Sequence, residues 1–316
     1  MRLIMLGTGP FAVPTLEALY KSSHNVAALV TQPPRPMRGV RQPAENPLRT
    51  LARQHGTPVF DPPDINAADA QTQLAALGPD LLVVADYGQI LSASTIGLAR
   101  HGTINLHGSL LPKYRGAAPV QWAVYHGETE TGVSVFQVTP AVDAGPLLAT
   151  ATTAIDPDET AGELESRLAR LGAPLVVRSI DALARGELPR APQDDRAASR
   201  ARRLRKSDGA IDWSRSARAI YNQVRALEPW PRTYTYWLRE EGQPLRLILG
   251  RVRVVDQAAD APPGTVLEAA DSLIVATGAG RLAIDSLQPA GGRLQPAETL
   301  LRGHPIHAGA RLGAAD

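Results

Sequence analysis

Between residues 2 and 107 the chain alternates short apolar runs with longer mixed stretches, and this alternation limits its fold more than any other feature. Residues 2–6, 26–31, 58–60, 81–85 and 103–107 have the length, apolar content and flanking turn residues of strands. The stretches between them, 11–21, 47–55, 67–77 and 93–99, read as helices. Residues 119–126 read as another, because Pro119 suits a first helical position, where its missing N–H costs nothing. Strands alternating with helices imply a doubly wound α/β domain. Runs at 133–138 and 147–154 extend its sheet, and 161–185 supplies one or two further helices.

At 316 residues the chain is about twice a typical single domain, so a second domain is expected. The boundary falls in a Pro- and Arg-rich stretch, giving a first domain over 1–188, a basic linker over 189–206 and a second domain over 207–316. The second opens with a helix over 212–227, where Ile220, Val224 and Leu227 share one face. Five β-runs follow, at 234–238, 245–255, 264–268, 273–277 and 282–287. They fit a small barrel of OB type, a fold that often binds oligonucleotides, although periodicity does not require closure. The net charge is only +2, yet Arg200 to Arg253 carries thirteen Lys plus Arg against five Asp plus Glu. An RNA partner uses such a footprint, and a solvated linker produces the same pattern. The absence of cysteine excludes disulfides, thiolate metal sites and a cysteine nucleophile. The opening apolar run is too short for a signal peptide, and no run of about 18 apolar residues exists to span a membrane, so a cytoplasmic protein is expected.

Asn105 and His107 stand two residues apart at the end of an expected strand, just before a Pro- and Gly-punctuated loop running to Gly116. Side chains alternate along a strand, so both project from one face, where an acyl oxygen can meet an amide and an imidazole together. Asp143 follows in a turn after the 133–138 run. In a parallel sheet all three would stand beyond the carboxyl ends of the strands, where ligands collect. Gly7-Thr8-Gly9-Pro10-Phe11-Ala12 fits the dinucleotide fingerprint, but the second strand ends Leu29-Val30-Thr31-Gln32 without the carboxylate that holds a ribose. The glycines are better explained as a tight turn at a helix start.

These segments resemble the methionyl-tRNA formyltransferase family over nearly the whole chain. The likeness rests on the Gly7–Ala12 opening, Thr31-Gln32-Pro33, Arg35-Pro36, Tyr87-Gly88-Gln89-Ile90-Leu91, Asn105 through Gln121, and Asp143-Ala144-Gly145. It continues through Ile211-Asp212-Trp213, Val224-Arg225-Ala226, Pro229-Trp230-Pro231, Pro263-Gly264-Thr265-Val266 and Leu287-Gln288-Pro289-Ala290-Gly291. The resemblance implies a Rossmann-like doubly wound formyltransferase domain followed by a smaller OB-like β-barrel domain. It implies 10-formyltetrahydrofolate as co-substrate, methionyl initiator tRNA as acceptor, no metal, and a monomer.

On the same ground Asn105, His107 and Asp143 carry catalysis by direct amine attack. Ser109, Leu110, Leu111 and Pro112, with Tyr87, Gly88, Gln89, Ile90 and Leu91, form the folate site. Arg35, Arg38 and Arg41, with Arg202, Arg203, Arg205 and Lys206, contact tRNA phosphates. Two features depart from the family pattern: Asp86 stands where alanine is common before the Tyr-Gly pair, and the 35–41 loop is slightly shorter and poorer in lysine. The rival readings are a folate-dependent formyltransferase or hydrolase with a sugar-amine or purine-pathway acceptor, and a non-catalytic RNA-binding relative.

Overall fold

The computed structural model describes residues 1–34, 46–187, 189–255 and 257–315. The chain divides into two units, one made of Met1–Val120, Glu130–Ile155 and Glu163–Arg202, the other of Gln121–Thr129, Asp156–Gly162 and Arg203–Asp316.

The first unit is built on β1 (Arg2–Leu6), β2 (Asn25–Val30), β3 (Val59–Phe60), β4 (Leu81–Val84), β5 (Thr103–His107), β6 (Arg115–Gly116), β7 (Glu130–Gln137), β8 (Leu147–Ala154) and β9 (Arg200–Ala201). Seven of these form one sheet in the order β3-β2-β1-β4-β5-β7-β8, and the first five are parallel. Leu3, Ile4, Met5 and Leu6 are wholly buried, as expected of a strand covered on both faces. Helices α1 (Val13–Lys21), α2 (Pro47–Gln54), α3 (Ala68–Ala76), α4 (Ala93–Ile96), α5 (Pro119–Tyr125) and α6 (Ala161–Ala184) complete the alternation read from the sequence, although α5 from Gln121 onward and the first two residues of α6 belong to the second unit. Local chemistry starts them: the Asn46 side chain accepts the Leu48 N–H ahead of Pro47, and Ser92 accepts that of Thr95. α6 presses closely on the sheet, because a Cβ on Gly172 would lie 2.7 Å from the Leu106 side chain.

The strand order reverses between β1 and β4, so the loops after these strands define the crevice of the sheet. They are zipped together, with the Thr8 and Gly9 N–H groups both donating to the Asp86 carbonyl. Those N–H groups are therefore not presented to a pyrophosphate, which gives the glycine turn a structural role.

Among its described residues the second unit contains α7 (Ala217–Ala226), α8 (Ala297–Gly303) and nine strands: β10 (Tyr234–Leu238), β11 (Leu245–Leu249), β12 (Val252–Val255), β13 (Val266–Ala269), β14 (Leu273–Ala276), β15 (Arg281–Ile284), β16 (Ser286–Pro289), β17 (Gln295–Pro296) and β18 (Arg311–Gly313). They pair in two antiparallel-stranded sheets, β17-β16-β11-β10-β18 and β12-β15-β14-β13. The smaller β domain is thus present, but its described strands do not form one continuous closed ladder. Two expected strands are each broken, at Gly250–Arg251 and at Asp285. There the backbone crosses from one sheet to the other, with Gly250 N–H donating to Ser286 O and Asp285 N–H to Arg251 O.

The helix expected from residue 212 starts five residues later. The Asp212 carboxylate accepts the Ser214 N–H and hydroxyl in a turn, Trp213 is buried with its Nε1–H on Thr235 Oγ1 at 3.0 Å, and Ser216 provides the cap. Among the described residues no helix is long and apolar enough to cross a membrane.

The stretch expected to be a linker, 189–206, stays with the first unit as far as Arg202. Ala191 bridges to Leu147, and β9 pairs with β6.

Candidate active site

β5 is buried along its length except at Asn105, which is half-buried, and its register sets Asn105 opposite Phe136 and His107 opposite Ser134. The His107 ring, 6% exposed, meets the Phe136 ring edge to face with centroids 6.4 Å apart. Its Nε2 lies 2.9 Å from the Tyr114 carbonyl oxygen. A carbonyl can only accept, so Nε2 carries the proton and Nδ1 is the nitrogen left for chemistry. Nδ1 faces Asp143 Oδ2 at 3.7 Å, longer than a direct hydrogen bond, and the contact is an ion pair when the imidazole is protonated at Nδ1 as well. Asn105 Oδ1 is buried and has no hydrogen-bond partner among the described residues, an exception to the satisfaction expected of buried polar atoms.

Asp143 reaches this place by a different route from the one the sequence suggested. β7 runs antiparallel to β5, so the chain leaves β7 near the start of β5, where the Val138 N–H donates to Thr103 O. Asp143 still lies beside His107 at the carboxyl end of β5, but it arrives there on a loop that folds back along β5 and not from the end of a parallel strand. Three contacts hold that loop. The Asp143 carboxylate accepts the Gly116 N–H at 2.8 Å, and the Gln193 amide donates to Asp143 O at 2.9 Å and Gly145 O at 2.7 Å. Asp143 itself has φ +50°, a left-handed conformation that Asp tolerates better than most residues. Gly116 has φ +125°, and a Cβ there would lie 2.5 Å from Ala201 O, so no other residue fits.

Sequence reasoning missed Tyr114, Gly116, Gln193 and Arg115. Arg115 donates to Gln193 Oε1 through Nε at 3.0 Å and Nη2 at 2.8 Å, and also pairs with Asp195. Gln193 sits in the stretch read as linker, and no spacing announces a contact across 50 residues. Gln193→Ala is expected to lower kcat about tenfold by loosening Asp143, at unchanged thermal stability. Equal kcat in the variant and the parent protein would remove Gln193 from the positioning set.

The expected folate-site residues fall into two groups. Tyr87 and Leu91 are buried in the core of the first unit, and burial with the Asp64 charge pushes the Tyr87 phenol up to about 12. Gln89 spends its side chain on the Ile65 N–H and the carbonyls of Pro62 and Pro63. Gly88 turns with φ +85°, and Ile90, 73% exposed, is the apolar side chain this loop presents outward. In the 109–112 loop Ser109 and Leu111 are buried and tied together by Ser134. Its hydroxyl donates to Ser109 O and accepts the Leu111 N–H. Leu110 packs toward Gly132, and Pro112 follows a cis bond. Of the basic residues, Arg202, Arg203, Arg205 and Lys206 are exposed, whereas Arg35, Arg38 and Arg41 lie outside the described residues.

The carboxyl group of Asp86 is tucked over Gly9, within 1.6 Å of where a Cβ there would stand, although much of the residue's surface is accessible. Desolvation pushes it up to about 6. Burial, together with the Asp86 charge, pushes Glu165 of α6 up to about 7. Among the described residues no cluster of three or more His, Asp or Glu side chains is placed to hold a metal ion.

The chain matches the formyl transferase family over residues 1–180 and the formyl transferase C-terminal domain over 203–305. It is 41% identical over 317 residues to the methionyl-tRNA formyltransferase of Geotalea daltonii, covering 100% of this chain and 99% of that one. With the enzyme of the same name from Methylococcus capsulatus it is 41% identical, covering 99% of this chain and 100% of the other. The chain belongs to the methionyl-tRNA formyltransferase family. Solved structures share the fold at lower identity. An N-formyltransferase from Helicobacter canadensis, in complex with folinic acid and dTDP-3-aminofucose, matches with a TM-score of 0.67 at 16% identity over 89% of this chain and 98% of that one. HypX from Aquifex aeolicus in complex with tetrahydrofolic acid matches with a TM-score of 0.63 at 17% identity, over 95% of this chain and 47% of that one. The family's two parts thus correspond to both halves of the sequence.

Proposed function

We propose that this protein transfers the formyl group of 10-formyltetrahydrofolate to the α-amine of methionyl initiator tRNA, acting in the cytoplasm as a single chain. The observation that carries this reading is the 41% identity to methionyl-tRNA formyltransferases along the full length. A match confined to the first half would leave the acceptor open.

The amine attacks the formyl carbon directly, and the carbonyl oxygen becomes negative in the tetrahedral intermediate. The Asn105 amide N–H donates to that oxygen, while its buried, unpaired Oδ1 accepts an N–H of the incoming amine and aims the lone pair. His107, with its Nε2–H committed to Tyr114, works through Nδ1: as the imidazolium, protonated there beside the Asp143 carboxylate, it stabilises the oxygen with its Nδ1–H and delivers that proton to the departing folate nitrogen. Asp143 takes up the amine proton, through a water or a short movement across the 3.7 Å gap to His107. Ile90 and the backbone of the Gly88 turn supply the apolar edge for the pterin, with the 109–112 loop as the opposite wall. Arg202, Arg203, Arg205 and Lys206, together with Arg35, Arg38 and Arg41, meet phosphates of the tRNA. Neutralising the four exposed residues from Arg202 to Lys206 is expected to flatten the salt dependence of tRNA binding, and an unaltered slope would exclude them.

The deciding experiment is formyl transfer from 10-formyltetrahydrofolate to methionyl initiator tRNA, beside methionyl elongator tRNA and a control without tRNA. Formylation confined to the initiator is the expected result. Formate release alone, or formylation of a sugar or purine amine in place of the tRNA, would retain the Asn-His-Asp chemistry and overturn the acceptor.

A further inference from the structure

The second unit contains a cavity of about 650 Å³ lined by α7, β12, the turn before β12 and the Asp158–Thr160 segment. Five arginines line it, Arg218, Arg225, Arg232, Arg251 and Arg253, against the carboxylates of Asp158 and Glu228. Their counter-charges are unevenly spread. Arg253 is held by Asp285 through two bonds at 2.8 and 2.9 Å, and Arg232 meets Glu228 at 3.3 Å. The Asp158 carboxylate accepts the Tyr221 hydroxyl. Arg251 only grazes Asp285, at 3.9 Å, and its side chain is 81% exposed.

Arg218 and Arg225 have no carboxylate within ion-pair distance among the described residues. Arg218 lies over the Tyr221 ring, its guanidinium carbon 5.2 Å from the centroid. Arg225 is 8% exposed, and among the described residues its guanidinium is hydrogen-bonded to neutral groups, the carbonyls of Asp156 and Glu159 and Asn222 Oδ1, each at 3.2 Å. A guanidinium this deep without an anion is costly for the fold, and carbonyl dipoles offset only part of that cost. Two cations without an ion-pair partner among the described residues, with Arg251 held only loosely at 3.9 Å from Asp285, line one concavity and focus a positive potential there. The guanidinium fork matches the oxygens of a phosphate in paired hydrogen bonds, and the volume suits a ligand of nucleotide size.

We propose that this cavity is a phosphate-binding site, taking the phosphoryl groups of a small phosphorylated compound or of a nucleotide within an RNA chain. It lies in the other unit from Asn105, His107 and Asp143 and goes beyond the assigned reaction, so failure of either reading leaves the other standing. The test is equilibrium dialysis of the full-length protein against inorganic pyrophosphate at low ionic strength. The wild-type protein binds one equivalent saturably. Arg218→Gln combined with Arg251→Gln, both exposed on the cavity wall, weakens binding about tenfold or more, the scale of a lost charge-assisted bond. Arg302→Gln, on α8 and outside the cavity, leaves it unchanged. Absence of saturable binding by the wild type, or equal binding by the double variant, overturns the proposal. Repeating the titration with saturating tRNA separates the sources. Displacement of pyrophosphate assigns the site to an RNA phosphate, and retention assigns it to a small phosphorylated ligand.

Discussion

Asn105→Ala is expected to lower kcat for formyl transfer by about 10²–10³, the usual consequence of removing one donor to a developing oxyanion. The loss should appear in kcat with little change in KM for either substrate, because the bond is strong only when the carbonyl oxygen carries charge. Stability should change little or improve, since the substitution also removes a buried acceptor that has no partner among the described residues. This sign distinguishes a functional side chain from one that packs a strand. If Asn105 were only structural, the variant would lose stability and keep its turnover. Steady-state kinetics beside a denaturant titration read both quantities, and unchanged kcat in a folded variant would refute the assignment.

Much of the first unit was legible because the alternation of strand and helix has a physical basis that short windows capture. β1 and β5 fall on the residues expected, since continuous burial leaves an unbroken apolar run bounded by turns. The second unit was less legible for an equally physical reason. A strand that bends from one sheet into another stays apolar through the corner, so 245–255 and 282–287 read as single runs although Gly250–Arg251 and Asp285 divide them. α8, β17 and β18 have too little periodicity of their own to be seen. At the site, Asn105 and His107 announce themselves by their two-residue spacing. What holds Asp143 does not: Gly116 and Gln193 act through a backbone N–H and an amide across 27 and 50 residues, and neither leaves a local pattern. The likeness to a known family supplied the acceptor and the donor, which no spacing in the chain encodes.

Glu165→Gln is expected to stabilise the protein above neutral pH and to do nothing below about pH 4. Asp86 and Glu165 both titrate higher in the folded chain than as free side chains, at about 6 and about 7 against 3.8 and 4.5. The native state therefore binds these protons more tightly than the unfolded state does. Their contribution is fully favourable below about pH 4, is lost as the pH rises through the window from about 4 to 7, and remains absent above it. Glutamine keeps the shape of the side chain and removes the charge that burial and Asp86 oppose. Discounting the raised value of Glu165 for partial solvent access leaves about 1–2 kcal/mol at pH 8. Urea titrations at pH 3.5 and pH 8 should give coincident midpoints for the variant and the parent protein at the lower pH, below the unfolded value of 4.5, and a higher midpoint for the variant at the upper. A midpoint lowered at pH 8 would mean instead that the carboxylate is stabilised by a partner, and that the two acids do not strain the fold. Asp86 should show the weaker version of the same behaviour, because its window closes near pH 6 and its carboxyl end is held against Gly9, where a neutral amide of similar size still fits.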